Sequence, residues 1–154
     1  MSPSGILVRP VGLSDHGQWR PLWDGYNAFY GRTGDTALDE AITGQTWDRF
    51  FLASGPVKAF VAVLDRQVVG LAHTVCHPST TRLRDVCYLQ DLFTSTSASG
   101  QGVGRALIER VYAEAQAVGC SRVYWTTFED NQTARRLYDR VTHYNGAIMY
   151  AKAL

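Results

Sequence analysis

The sequence reads as a mixed α+β domain, and three observations carry that reading. Two Val/Ala/Leu-rich runs, 58–64 and 67–76, are separated only by Asp65-Arg66, the spacing of a β-hairpin. A later run, 103–118, repeats apolar residues at Val103, Leu107, Val111, Ala115 and Val118, a helical interval closed by Gly119. Finally, 154 residues suffice for one domain spanning 1–154, and a domain of that size buries about 68–70% of its unfolded surface without needing disulfides or a structural metal.

The elements follow in order. Residues 6–9 form a short strand that ends at Pro10. Ser14 is placed to cap a helix running to Tyr30 and stopped by Gly31, with Pro21 and Gly25 predicting a kink or two short pieces. Thr36 is placed to cap a second helical region, 37–52, which Gly44 interrupts. After the hairpin, 85–94 is a third Val/Leu-containing strand, and the helix at 103–118 carries Arg105/Glu109 and Arg110/Glu114 as i,i+4 pairs. A strand at 122–128, a short helix at 133–141 and a last strand at 147–151 complete the order β-α-α-β-β-β-α-β-α-β.

Composition narrows the function classes. With 45% hydrophobic and 19% charged residues the chain is not globally disordered. A net charge of +1 supplies no general attraction to nucleic acid or to an anionic membrane, so neither is expected as a partner. The three cysteines are odd in number and lack C-x-x-C spacing, which suits a reducing compartment and leads us to expect a cytoplasmic protein. His73, Cys76 and His77 lie close in sequence, but strand alternation sends them to different faces, and zinc wants three or four convergent ligands. No metal is expected. Neither a leader-like N-terminus nor an apolar run of membrane-spanning length is visible.

Any anion site must therefore be local, and the turn Ser99-Gly100-Gln101-Gly102-Val103-Gly104-Arg105 is the candidate. Its glycines allow positive φ and close backbone approach, and the following helix presents unpaired N–H groups at the positive end of its dipole. Such a turn can hold a pyrophosphate or serve simply as a strand-to-helix connection. A Walker A loop is excluded because the G-K-[ST] ending is missing. A dinucleotide fold is disfavoured because the turn lies two-thirds along the chain, after an antiparallel run.

With the strand at 88–94 before it and Arg105-Ala106-Leu107-Ile108-Glu109 after it, the turn resembles the acetyl-CoA motif of the GNAT superfamily of N-acetyltransferases, whose pattern (Arg/Gln)-x-x-Gly-x-(Gly/Ala) is met by Gly102 and Gly104. Ser99 stands where the family has Arg or Gln. A second segment, Asn131-Gln132-Thr133-Ala134-Arg135-Arg136-Leu137-Tyr138, resembles the family's N-x-x-A-x-x-(L/F)-Y run. Val123-Tyr124-Trp125 and Leu89-Gln90-Asp91-Leu92 are similar to the histone and polyamine acetyltransferase subgroup. The likeness covers 57–154 by motif and the first 50 residues only by element order.

The resemblance implies a central, largely antiparallel twisted sheet of six to seven strands flanked by about four helices. It also implies an acetyl-CoA-dependent transferase that acts on a primary amine of a small molecule or basic peptide. A non-catalytic acyl-CoA-binding module is the alternative. The implied cofactor-binding residues are Leu92, Phe93 and Thr94 on the strand, Gly100, Gln101, Gly102, Val103, Gly104 and Arg105 in the turn, and Asn131, Ala134 and Tyr138 beyond it. Asn131 suits either the pantetheine arm or a helix N-cap. Tyr138, which periodicity alone would assign to the core, becomes the implied general acid for the departing thiolate.

The general base is the departure. Gln90 occupies a position often held by Glu in the polyamine subgroup, and glutamine takes no proton. Asp91 is adjacent but on the opposite face unless a bulge, itself a family feature, rotates the strand. Ordered water or an already neutral amine would serve instead. Tyr26, Tyr30, Gln90, Trp125 and Glu129 are the candidate acceptor-binding residues, set against core or lid packing for the aromatics and a solvated loop for Glu129 and Asp130. A homodimer is expected, by pairing or exchange of the strand at 147–151.

Overall fold

A computed structural model describes residues 5–154. The sheet has five strands in the order β1 (Leu7–Pro10), β2 (Val57–Leu64), β3 (Gln67–His77), β4 (Val86–Thr94) and β5 (Val123–Tyr124). Strands β1 to β4 pair antiparallel in succession, and β5 joins β4 in parallel. The helices are α1 (His16–Phe29), α2 (Glu40–Arg49), α3 (Val103–Ala117) and α4 (Gln132–Val141). Asp65 and Arg66 both take positive φ, 50° and 65°, which matches the right-handed twist of the β2–β3 hairpin they close.

Two apolar clusters sandwich the sheet. Trp19, Leu22, Trp23, Tyr26 and Phe50 from α1 and the end of α2 pack on Ala59 and Leu71. On the other face Val103, Leu107, Ile108 and Val111 of α3 pack on Phe60, Ala72 and Leu89. Gly70 permits the second contact, because a Cβ there would lie 2.8 Å from Val103 Cγ1 and 3.2 Å from the Phe93 carbonyl. Gly25 does the same for the first, since a Cβ would stand 3.1 Å from the Phe93 ring.

Several expectations need correcting. The sheet holds five strands, not six to seven. Residues 147–151 form no strand, because a strand exists only where a neighbour completes its hydrogen bonds, and β5, two residues long, offers almost no edge. Ile148, Met149 and Tyr150 are left exposed. The strand expected at 122–128 shrinks to Val123–Tyr124, the only residues registered on β4. Helix α1 runs unbroken through Pro21 and Gly25, held to the sheet by buried Trp19, Trp23 and Tyr26. It starts after a 3₁₀ turn in which Asp15, not Ser14, accepts the Gly12 N–H at 2.7 Å. Helix α2 is capped by Asp39, whose side chain accepts the Ala41 N–H, and Gly44 lies within it; Thr36 belongs to a separate 3₁₀ turn.

Candidate active site

The site begins with an irregularity in β4. Thr74 pairs with Leu89 and His73 with Asp91, so Gln90 is the extra residue of a β-bulge. Below the bulge the Cys87 N–H donates to Arg122 O on the β5 side. Beyond it the phase changes. The Ser95 N–H donates to Val69 O at 2.8 Å, and the same register directs the backbone groups of Asp91 and Phe93 toward β3. Leu92 and Thr94 therefore point their N–H and C=O groups away from β3, where β5 has already ended and no strand pairs among the described residues. A gap lined by free peptide groups opens between β4 and residues 125–130.

The glycine turn sits at the end of this gap. Gly100 and Gly102 have φ of 78° and 86°, and a Cβ at either would meet nothing within 4 Å, so the backbone curves round open space. Gly102 precedes the first residue of α3, whose N-terminal N–H groups face the same way. Val103 is buried in the core and anchors the turn. Gln101 leans back on Ser97 O at 3.5 Å, and Arg105 is tied to Glu109 at 2.9 Å. Gly104 brings α4 close, since a Cβ would stand 3.1 Å from Leu137 Cδ2 and 3.9 Å from Thr94 Oγ1. These features fit a diphosphate held by backbone groups at a helix start.

Helix α4 delivers Tyr138 to the α3 face of the gap. Its ring meets Trp125 edge-on with centroids 5.4 Å apart. Burial pushes the phenol up to about 12, with Tyr30 adding to the shift. Its hydroxyl has no hydrogen-bond partner among the described residues. Asn131 stands at the N-cap of α4 without capping through its side chain; instead Nδ2 donates to Thr127 Oγ1 at 3.0 Å. Ala134 is half-buried on the same helix. Glu129 is exposed and uses its backbone carbonyl to receive Arg135 at 2.8 Å.

The opposite face holds a different arrangement. The bulge turns Asp91 toward α1, where His73 Nδ1 lies 2.9 Å from Asp91 Oδ2. The Trp19 indole N–H can only donate, and it donates to His73 Nε2 at 3.0 Å. The imidazole proton therefore sits on Nδ1 and is given to Asp91. His73 is 2% exposed and ringed by Trp23 and Phe50, so this chain of three side chains is rigid. Tyr26, stacked on Trp23, places its hydroxyl 3.5 Å from Gln90 O. Burial raises its ionisation first, and neighbouring Asp91 raises it further. Tyr30 packs on Tyr26 at 5.1 Å and on Phe128 at 5.8 Å, which links the two faces. Phe29, Tyr30, Phe128, Asp130, Asn131, Gln132 and Thr133 line an open cleft of about 580 Å³ there.

The structure thus brings Asp91, Tyr26 and Tyr30 together on one face and Tyr138, Trp125 and Asn131 on the other, with Leu92 and Thr94 between them. Gln90 is exposed at the bulge and Glu129 lies outward. His73, Trp19 and Thr127 are partners that sequence reasoning missed. His73 drew notice only as a metal ligand, and its pairing with Asp91 depends on a bulge that no residue pattern marks. His77 bonds the Tyr124 hydroxyl through Nε2 at 2.6 Å.

The sequence profile of the Acetyltransferase (GNAT) family matches residues 19–144. A Saccharomyces cerevisiae protein named D-amino-acid N-acetyltransferase HPA3 is 30% identical over 151 residues, 96% of this chain and 90% of that one. The fold is similar to that of an aminoglycoside acetyltransferase from an uncultured soil metagenomic sample, solved with trehalose, at a TM-score of 0.80 and 16% identity over 99% of this chain and 98% of that chain. It is likewise similar to AAC(6')-Iy, solved with the bisubstrate analog CoA-S-monomethyl-acetylneamine, at a TM-score of 0.79 and 16% identity over 97% of this chain and 98% of that chain.

Proposed function

The chain belongs to the GNAT acetyltransferase family and is an N-acetyltransferase; from that premise we propose that it acetylates the primary amine of a small molecule or basic peptide by direct attack within a ternary complex. The observation that carries this reading is the gap beside β4, with free peptide groups at Leu92 and Thr94, a carboxylate on one side and an unpaired phenol on the other. Acetyl-CoA, the donor of the family, supplies an activated thioester carbonyl when bound. Gly100, Gln101, Gly102, Val103, Gly104 and Arg105 would receive its diphosphate. Leu92 and Thr94 would align its pantetheine arm by strand-like bonding, with Asn131 and Ala134 across from them, while Phe93, also implied by the resemblance, keeps its own peptide groups on β3.

Asp91 is the residue we assign to proton removal. The bulge overcomes the alternation that would otherwise turn it away, and His73 donates to Oδ2 with the Tyr26 hydroxyl beside the same carboxylate. His73 would be a positioning residue, since Trp19 occupies its second nitrogen. Tyr26, Tyr30 and Gln90 would border the acceptor, whereas Trp125 stands on the Tyr138 side and Glu129 faces outward. A peptide N–H of Leu92 or Thr94 would stabilise charge developing on the acetyl oxygen, a device worth about 3–4 kcal/mol per donor.

Tyr138 would return a proton to the departing sulfur. A phenol at about 12 stays protonated at neutral pH, but it is a weak donor to a solvated thiolate whose thiol titrates near about 8.5. Burial narrows the mismatch, as it does within this protein by pushing the Cys120 thiol up to about 11. A non-catalytic module would have no use for Asp91 and Tyr138 on opposite sides of one gap, and we do not favour it.

Thiol release from acetyl-CoA, measured over polyamines, amino acids, aminoglycosides and basic peptides, tests the reading. Acceptor-dependent release supports it, and tight acetyl-CoA binding with no release across the panel would return the protein to a sensing role. No described helix is long and apolar enough to cross a membrane, and we place the enzyme in the cytoplasm without a metal. We also propose a homodimer in which the exposed 147–151 segment of each copy finds a strand partner; light scattering showing a monomer at micromolar concentration would refute that.

A further inference from the structure

We propose that Arg32 is the anchor for an acceptor carboxylate, and that the acceptor is accordingly a free amino acid whose amine is delivered to Asp91. The inference deepens the N-acetyltransferase reading and rests on it. Arg32 follows α1 in the loop that borders Tyr26 and Tyr30. Its guanidinium carbon lies 5.7 Å from the Tyr26 ring centroid and 5.5 Å from that of Tyr30, so it covers both rings.

Buried chemistry holds it there. Arg32 Nε donates to Asn27 Oδ1 at 2.7 Å, and Asn27, 4% exposed, is itself fastened by Nδ2 to Trp23 O at 2.9 Å. The Arg32 backbone N–H adds a bond to Asn27 O, also at 2.9 Å. A buried amide used in this way orients the guanidinium plane and leaves its two Nη groups for something else. Neither Nη has a partner among the described residues. Arg9 and Arg20 are engaged differently, the first on Asp15 and the second on Asp24 and Glu40.

The two charges flank one ring. Tyr26 touches β4 through Gln90 O at 3.5 Å, beside Asp91, while Arg32 lies over the same ring. An α-amino acid carries its amine and carboxylate on one carbon, so it presents opposite charges a short distance apart. Laid across Tyr26, its ammonium would meet the Asp91 carboxylate and its carboxylate the paired Nη donors. A fixed guanidinium fork suits a planar carboxylate in two-point fashion. A polyamine offers only positive charge, and Arg32 would repel its second amine. The yeast relative, by its name, acts on D-amino acids.

The test compares an amino acid with its α-carboxamide as acceptors, by steady-state thiol release with wild type, Arg32→Gln and Arg32→Lys. The amide's amine loses its proton more readily, so the comparison is biased against the proposal. Wild type is expected to prefer the free acid. Arg32→Gln should raise KM for the acid by roughly 10–100-fold, with kcat little changed and the amide within twofold of its wild-type value. Arg32→Lys should fall between, since it keeps charge but loses the fork and the Asn27 bond. Equal use of acid and amide by wild type, or a parallel loss on both in Arg32→Gln, overturns the proposal. Acetylation of polyamines or basic peptides but of neither member of the pair also overturns it, and leaves the N-acetyltransferase reading standing. Release with no acceptor of any class would overturn that broader reading itself.

Discussion

The two faces of β4 beyond Gln90 use different kinds of chemistry. On the α3 side the candidate contacts come from backbone: the free peptide groups of Leu92 and Thr94, the left-handed turn at Gly100 and Gly102, and the start of α3. On the α1 side they come from side chains brought from three distant segments, with Trp19 bonded to His73 and His73 to Asp91. Backbone recognition tolerates almost any side chain that keeps the conformation. Side-chain recognition changes with each substitution. A single donor and a variable acceptor match this division, and the difference can be probed one face at a time.

The largest effect should come from Tyr138→Phe. Loss of one hydroxyl with the ring retained against Trp125 is expected to lower turnover by roughly 10²–10⁴-fold while leaving acetyl-CoA affinity intact. Near-normal turnover would return Tyr138 to packing and leave solvent to protonate the thiolate.

Asp91→Asn should act on the other face, and its effect should depend on pH. We expect turnover to fall by roughly 10²-fold near neutrality, the lower end of the effect of losing a general base. The loss should shrink as pH approaches about 10.4, where a lysine-like amine is already half neutral. An equal loss at every pH would make Asp91 a binding or structural group. No loss at any pH would hand the role to water.

Gly102→Val tests the backbone cradle. A branched residue at φ 86° is strained, and its side chain would enter the open space the turn surrounds. Wild type should be stabilised by about 2.7 kcal/mol at acetyl-CoA 100-fold above Kd, and the folded variant should show no ligand-induced shift. An unchanged shift would place the donor elsewhere.

Gly70→Ala probes the support shared by the faces. Its Cβ would meet Val103, Leu107 and a β4 carbonyl at 2.8–3.2 Å, so overpacking should cost about 1–3 kcal/mol in denaturant unfolding. Because Val103 anchors the turn, acetyl-CoA affinity should weaken as well. A stability change alone would show the turn to be independent of α3 packing.

The smallest effect concerns Asp15, which lies away from both faces. Hydrogen bonding from Arg9 is the largest cause holding its carboxyl below the usual range, with the Gly12 N–H assisting. A lowered folded value contributes stability above the unfolded value of about 3.9, lost as pH falls through the folded one. Asp15→Asn should therefore destabilise by less than about 1 kcal/mol at pH 7, given the exposure of Arg9. Wild type and variant should converge in thermal melts once the pH has fallen below the lowered folded value. A gap that persists in acid would assign the effect to the turn geometry.

Legibility in the sequence follows the same division between faces. The α3 side, where we propose that the donor binds, was legible as local structure because it depends on near neighbours in the chain: Gly102 and Gly104, the α3 stripe from Val103 to Ala115, and Asn131 to Tyr138 on one short helix. The hairpin at Asp65-Arg66 was readable for the same reason. The acceptor side was not. Trp19 reaches His73 across 54 positions and Tyr26 reaches Gln90 across 64, and no periodicity encodes such pairings. Arg32 belongs to no motif, and its hold on buried Asn27 is a feature of the folded chain.

By itself the sequence determined the kinds and order of the elements from β1 to α4, a glycine turn at the start of a helix and the residues available for proton transfer. These follow from short-range rules, since capping, turn conformation and apolar period act over a few residues. Tertiary structure decided where β5 ends, that residues 147–151 stay outside the sheet, and that the extra residue of β4 is Gln90, which turns Asp91 toward α1. Each depends on a hydrogen-bonding partner contributed by another strand or helix. A strand's extent and a bulge's position are properties of a pair of segments, and one segment read alone cannot specify them.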